Sequence, residues 1–364
     1  MKRNFTNWLL IVLAWQVACF MFNLIGISYF RTLTGIMPIV DPNNPFFVYS
    51  QSLLPFLEAG LFGFLFGSLF YVIYWSTLNT SFRRKSFGQV VAIQTVLYIL
   101  AFSVVFVLVF FIMRNIDVFP IVDLEKFKLI ITEYPHVLIA FVIYLTMIII
   151  IMSFFLEISK KFGPGNLAKL FTGKYHNPIA ENKIFMFLDL KDSTTHAENL
   201  GHIKYSRLLQ NCFLDINFII NEYHAEIYQY VGDEVVLMWD KDREDSATNC
   251  VKLYYAFCAH LMERSDKYIS RYGFVPEFKA GINQGTVTAA EVGQVKREIA
   301  FHGDVLNTAA RIQMVCNQYK KNLLASESFA ELLEEVSEFK KVLIGYVPLK
   351  GKSIPVNVYS IEPI

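Results

Sequence analysis

Four long apolar stretches crowd into the first 157 residues, and no other feature of this chain constrains its fold as strongly. Trp8 to Phe30, Gln89 to Met113 and His136 to Phe155 carry no Asp, Glu, Lys or Arg, and Leu53 to Trp75 carries one, Glu58. A helix needs ~20 apolar residues to cross a bilayer. Four such stretches so close together are read as four transmembrane helices rather than as buried core helices. Lys2 and Arg3 precede the first stretch as the n-region of a signal peptide would. The apolar run is too long for an h-region, however, and no small-x-small cleavage site follows. It is therefore expected to be an uncleaved helix.

Charge distribution separates this region from the rest. Residues 1–157 hold 9 basic and 7 acidic side chains, against 24 and 25 in residues 158–364. The expected organisation is a four-helix transmembrane domain over 1–157, a linker or transmission element over 158–182, and a water-soluble domain over 183–364. The overall balance of 33 basic and 32 acidic side chains gives a net charge of +1, without the basic excess of a nucleic-acid binder. Lys2/Arg3, Arg83-Arg84-Lys85 and Lys160-Lys161 fall on one side of the expected membrane. The loop with Arg31 and Asp41 falls on the other, as does that from Arg114 to Tyr134 with three basic and four acidic residues. The positive-inside rule then places both termini in the cytoplasm, as a multi-pass protein of the cell inner membrane. Five scattered cysteines without CxxC spacing fit a reduced compartment.

Two features of the membrane region exceed what an anchor requires. Glu58 is an intramembrane carboxylate, costly enough to be a candidate functional residue, although a reach toward the outer headgroups would also account for it. Gly63 and Gly67 have the G-x-x-x-G spacing that lets helices approach closely, within one chain or between two. No Lys or His lies deep in a stretch, which argues against a retinal or haem site. In the junction, Gly163-Pro164-Gly165 should break the last membrane helix before the short amphipathic run from Asn166 to Phe171.

The second half alternates strand and helix signals. Lys183 to Leu190 reads as a buried strand and Ser193 to Tyr223 as a helix capped by Asp192 or Ser193. Ala225 to Val231 and Glu234 to Trp239 form a hairpin at Gly232-Asp233. Ser246 to Arg271 is helical, Glu277 to Val292 extended, and Asp304 to Tyr319 helical; Leu323 to Ser326 and Lys341 to Ile361 are strand-like, with a turn at Gly351. The order β-α-β-β-α-β with additions is a ferredoxin-like α+β plan.

Candidate chemistry sits at the strand ends. Asp189 and Asp233 lie on strands that this plan makes neighbours, and two carboxylates without nearby Cys or His select a hard cation such as Mg²⁺. Asp192, Ser193 and Thr194 open the following helix, whose free N–H groups suit a phosphate. Asn307 and Arg311 stand four apart on one helical face, an amide to orient a sugar and a guanidinium fork for phosphate oxygens. Lys350-Gly351-Lys352 occupies a turn between strands.

These segments together resemble one family. Phe187-Leu188-Asp189-Leu190-Lys191-Asp192-Ser193-Thr194 looks like the first metal motif of the class III nucleotidyl (adenylyl and guanylyl) cyclases, and Tyr230-Val231-Gly232-Asp233-Glu234 resembles the second. Gly303-Asp304-Val305-Leu306-Asn307-Thr308-Ala309-Ala310-Arg311 resembles their G-x-x-V-N-x-A-x-R motif, and Leu349-Lys350-Gly351-Lys352 their late phosphate-lysine turn. The resemblance spans roughly Asn182 to Ile361 and implies a membrane-bound adenylyl cyclase converting ATP to 3′,5′-cyclic AMP and pyrophosphate. By the same resemblance Asp189, Asp233 and the backbone carbonyl of Leu190 hold two Mg²⁺ or Mn²⁺ ions per active site. Asp192, Ser193, Thr194 and Lys352 bind the triphosphate, Asn307 orients the ribose and Arg311 stabilises the α-phosphate. The family builds its site from two catalytic domains, which implies a homodimer here. At the family's base-reading positions stand Gln229 and Ala300, neither the adenylyl Lys/Asp pair nor the guanylyl type. GTP therefore stays open beside ATP, as does a receptor or scaffold that binds nucleotide without turnover. Val231-Gly232-Asp233-Glu234-Val235 also echoes the G-G-D-E-F signature of diguanylate cyclases, but it lacks the first glycine, and the Asn307/Arg311 helix belongs to the other family.

Overall fold

The computed structural model describes residues 2–36, 52–78, 85–115, 132, 135–162, 169, 172–295, 297–333, 338–349 and 355–364. Arg83-Arg84, the loops holding Asp41 and residues 116–131, Gly163-Pro164-Gly165, most of the run to Phe171, and Lys350-Gly351-Lys352 lie outside the described residues. The chain divides into two compact units, Met1–Lys161 and Phe162–Ile364.

The first unit contains α1 (Lys2–Ile36), α2 (Leu54–Leu78), α3 (Phe87–Asn115) and α4 (Pro135–Phe162). All four are long and apolar enough to cross a membrane. Their outward surfaces are apolar too, with Leu10, Ile25, Val104 and Ile143 each about 60% exposed, as a lipid-facing surface requires. The two glycines act within the chain. A Cβ on Gly63 would lie 2.9 Å from the Cα of Gln16, and one on Gly67 would lie 2.9 Å from the Cα of Val12. Trp15 then packs edge-on against Phe66, with ring centroids 4.5 Å apart. Phe70 stacks on Tyr98 of α3 at 3.7 Å. Gln94 donates from its side-chain amide to Thr77 Oγ1 at 2.9 Å and to Glu157 Oε1 at 3.4 Å, so three helices share one internal polar junction.

The second unit is an eight-stranded sheet. Its elements in chain order are β1 (Ile179–Leu190), α5 (Ser193–Ile219), β2 (Glu226–Val231), β3 (Glu234–Asp240), α6 (Ser246–Glu263), α7 (Ser265–Tyr272) and β4 (Phe278–Val292). There follow β5 (Glu298–His302), α8 (Asp304–Met314), α9 (Cys316–Tyr319), β6 (Leu323–Ser326), α10 (Glu327–Ala330), β7 (Phe339–Val347) and β8 (Val356–Pro363). The order is β2-β3-β1-β4-β6-β8-β7, with β5 paired to β4. Its first four strands reproduce the ferredoxin-like arrangement, β1 lying antiparallel between β3 and β4. The strand expected at Lys183 begins earlier, at Ile179, because residues 179–182 continue the ladder with β4. The helix expected to reach Tyr223 ends at Ile219 and is kinked at Gly201, where φ is 70°. Short β5 carried no separate signal within its neighbourhood.

Period-two alternation divides β1 between two cores. Ile184, Met186, Leu188 and Leu190 point into the cluster with Leu208, Ile216, Val251 and Phe257 of α5 and α6. Phe185 and Phe187 face the opposite cluster, with Phe301 of β5 and Ala309 of α8. Asp189 continues that second face, and this alone directs it toward α8. The helix sits unusually close to the sheet because Gly281 of β4 has no side chain. A Cβ there would lie 2.3 Å from the backbone nitrogen of Gln313 and 2.4 Å from the carbonyl of Ala309.

Gly281→Ala should therefore push α8 off the sheet, since backbone rather than a flexible side chain blocks the added methyl. We expect a stability loss of about 1–3 kcal/mol, the usual range for overpacking, measured by thermal unfolding of the solubilised chain. An unchanged midpoint would contradict the close approach.

Candidate active site

Asp189 stands in β1 directly opposite Glu234 of β3 and Lys279 of β4. Directly opposed residues share a face of a sheet, so the carboxylates and the ammonium lie side by side. Lys279 Nζ is 3.4 Å from Asp189 Oδ2, and Gln313 of α8 donates to the same oxygen from Nε2 at 2.7 Å. Gly232 takes a positive φ of 62°, turning the tight hairpin that presents Asp233 beside this group.

The electrostatics record the crowding. Burial pushes the Asp189 carboxyl above its ordinary range and the Asp233 carboxylate adds to the push, with Lys279 and Gln313 offsetting it in part. Burial, then Asp189 and Asp233, drive Glu234 up to about 7. Tyr205 of α5 is pushed up to about 12 by burial and by Asp233, while its hydrogen bond with Ser193 acts the other way. Three acidic groups thus interact where the end of β1 meets the β2–β3 hairpin, with Lys279 close to Asp189. Acceptor-only oxygens without thiol or imidazole are the donor set of a hard divalent cation, and a bound dication would relieve the repulsion that raises Asp189 and Glu234. In donor chemistry the residues suit such a metal, with the carbonyl of Leu190 next along the strand, while no three His, Cys, Asp or Glu side chains among the described residues are grouped as a ready-made metal site.

The remaining expected residues fall in three places. Asp192 is the N-cap of α5 in left-handed geometry (φ 51°), and its side chain makes no capping hydrogen bond. Thr194 is exposed in the same first turn, next to Ser193. Asn307 is exposed and Arg311 half-buried on α8, beside the buried stripe of Thr308, Ala309, Ile312 and Gln313. Neither Asn307 nor Arg311 makes a hydrogen bond or ion pair among the described residues, so within one chain they do not meet the carboxylates. Gln229 is exposed on β2 next to a register shift, and Ala300 is half-buried on β5. Their neighbours tie the two strands together: Tyr228 and Phe301 pack edge to face at 5.3 Å, and the Phe301 N–H donates to Tyr228 Oη at 3.4 Å. Lys352 lies outside the described residues.

Gln313, Lys279 and Tyr205 escaped the sequence reading. Gln313 lies two residues past Arg311, yet only the packing of α8 over Gly281 shows that it reaches β1. Lys279 became identifiable only with the β1–β4 register.

Glu234 generates a sign-specific prediction for protein held in EDTA. Its folded pKa is raised above the ordinary 4.5, so the folded state retains a proton that the unfolded state has lost. Stability then falls as pH rises from about 4.5 to about 7. Glu234→Gln should remove this component: the variant gains on the wild type across that window, and excess Mg²⁺ narrows the gap. Parallel thermal-midpoint profiles would refute it.

Comparison with known proteins follows the same region. The family model described as "Adenylate and Guanylate cyclase catalytic domain" matches residues 176–363. Adenylate cyclase 2 of Rhizobium meliloti (strain 1021) is 28% identical over 208 residues, covering 57% of this chain and 57% of that protein. An adenylate cyclase of Anabaena cylindrica is 26% identical over 181 residues, covering 49% of this chain and 36% of that protein. The match thus spans about half or less of these relatives' lengths. The structure of a bacterial light-regulated adenylyl cyclase aligns with a TM-score of 0.53 at 17% identity, over 64% of this chain and 67% of that one, a likeness of fold. Because the family model covers more than half of its residues, and the Asp189, Asp233 and Asn307–Arg311 segments lie inside the match, this chain belongs to the adenylate and guanylate cyclase catalytic domain family, the class III nucleotidyl cyclases.

Proposed function

We propose that the protein is a membrane-bound adenylyl cyclase that converts ATP to 3′,5′-cyclic AMP and pyrophosphate at sites shared between two copies of the chain. Residues 1–157 form the membrane domain, residues 158–182 the connecting element that transmits any regulation, and residues 183–364 the catalytic domain. Both termini lie in the cytoplasm of a cell whose inner membrane carries the four helices. The basic groups Lys2/Arg3, Arg83-Arg84-Lys85 and Lys160-Lys161 support this orientation.

One observation carries the shared site. Asp189 is already engaged by Lys279 and Gln313 of its own chain, whereas exposed Asn307 and half-buried Arg311 make no hydrogen bond or ion pair among the described residues. A phosphate-grasping pair left unpaired by its own chain suits a twin subunit across a twofold axis, where each surface meets its own copy.

Asp189, Asp233 and the Leu190 carbonyl would hold two Mg²⁺ or Mn²⁺ ions. When bound, such ions supply Lewis acidity that makes the ribose 3′-hydroxyl more acidic and neutralises the triphosphate. The chain's own groups do the rest. The backbone N–H groups of the first turn of α5, at Asp192, Ser193 and Thr194, and the Lys352 ammonium hold the triphosphate oxygens. Asn307 of the twin orients the ribose so that its 3′-oxygen lies in line with the α-phosphorus. As the 3′-oxygen bonds to that phosphorus and gives up its proton to water, the bond to the bridging oxygen of the β-phosphate breaks and pyrophosphate departs. The Arg311 guanidinium compensates charge on the α-phosphate as the bond forms. Gln229 offers both a donor and an acceptor to the base, which suit adenine or guanine alike, while Ala300 offers neither from its side chain.

Purified full-length protein should make cyclic AMP from Mn²⁺-ATP faster than cyclic GMP from Mn²⁺-GTP. The reverse order would reassign the substrate, and no product from either would leave a nucleotide-binding receptor. Asp189→Ala and Arg311→Ala should each cost ~10²–10³ in rate. Mixed together, they should recover roughly a quarter of wild-type activity, because half the dimers are mixed and each of those has one intact site. Mixed dimers without recovery would contradict the shared site.

A further inference from the structure

Gln313 shares α8 with Arg311 but not its face. At 3.6 residues per turn the two stand about 200° apart around the helix, and Gln313 belongs to the buried stripe, at 4% exposure. Its backbone lies against Gly281 of β4, where an added Cβ would meet the Gln313 nitrogen at 2.3 Å and its Cα at 2.8 Å. Gly281 pairs with Phe187 of β1, and two residues along the same face Lys279 pairs with Asp189. The helix backbone therefore rests about 7 Å of strand from the carboxylate. The Gln313 side chain spans that step, and Nε2 donates to Asp189 Oδ2 at 2.7 Å.

Two donors converge on this one oxygen. Lys279 Nζ also approaches Oδ2, at 3.4 Å, and among the described residues no hydrogen bond or ion pair reaches Oδ1. The donors differ in charge. A divalent cation at the carboxylate repels the Lys279 ammonium, whereas a neutral amide keeps its bond to a carboxylate that also binds a metal. A partner that fixes a ligating group in this way carries roughly 10–100-fold in metal affinity.

We propose that Gln313 is a positioning residue for the cation site. By holding Oδ2 of Asp189 it leaves Oδ1 to the metal, and it acts within its own chain although Arg311 on the opposite face of α8 serves the twin. This role rests on the reading of Asp189 as a metal ligand. Mn²⁺ is titrated into full-length protein with a non-hydrolysable ATP analogue, and free Mn²⁺ is read by paramagnetic resonance, without turnover. Gln313→Met, which keeps the volume and removes the amide, should weaken Mn²⁺ binding about 10–100-fold. Gln313→Asn, whose amide stops one methylene short, should do the same. The thermal midpoint in EDTA reports folding, and either variant suffices if the other does not fold. Mn²⁺ binding that is lost in Asp189→Asn but unaltered in a folded Gln313 variant overturns the positioning role alone. A wild type that binds no Mn²⁺, or Asp189→Asn that binds it as the wild type does, overturns the metal reading and this role with it.

A second arm separates positioning from mere support of α8. In mixed dimers of Asp189→Ala and Arg311→Ala chains, the intact site takes Asp189 from the Arg311→Ala chain. Gln313→Met added to that chain should raise the Mn²⁺ concentration for half-maximal recovered activity by the same factor. Added to the Asp189→Ala chain, whose own carboxylate is gone, it should not. A rise from both chains alike makes Gln313 a packing residue and overturns the proposal. The binding arm decides whether or not the sites are shared.

Discussion

The unit Phe162–Ile364 is organised around a concentration of like charge that it holds together rather than relieves. Asp189, Glu234 and Asp233 converge where β1 meets the β2–β3 hairpin, and burial with mutual repulsion raises the first two above their ordinary range. Such an arrangement persists because the surrounding frame is rigid. Lys279 is fixed by the β1–β4 ladder, and Gln313 by a helix seated directly on the backbone of Gly281. Strain of this kind at the strand ends, in an otherwise consistently packed domain, is where chemistry is to be sought.

The legible parts of the sequence were those set by local pattern. Alternation in β1, the Gly232-Asp233 turn and the four-residue spacing of Asn307 and Arg311 announce strand, hairpin and helix face without tertiary knowledge. The Asp189 and Asp233 motifs belong to that category, as do the four apolar helices. What stayed hidden depends on register and close approach. Lys279 and Gln313 look like ordinary surface residues until β4 pairs with β1 and α8 settles over Gly281. The division of β1 into two faces was implicit in its alternation, but which face α8 would cover was not.

The membrane unit shows the same contrast. Gly63 and Gly67 signalled close packing, and only coordinates show that the partner is α1 of the same chain rather than a second copy. Glu58 was conspicuous as an isolated acid in an apolar run.

The claim on which the catalytic account rests is that the carboxylates of β1 and the hairpin hold divalent cations. Electron paramagnetic resonance of Mn²⁺ titrated into full-length protein with a non-hydrolysable ATP analogue measures this directly. The account predicts two bound Mn²⁺ per nucleotide, with loss of that signal in Asp189→Asn and Asp233→Asn while the thermal midpoint in EDTA stays near or above that of the wild type. Mn²⁺ stoichiometry unaltered by both substitutions would contradict it.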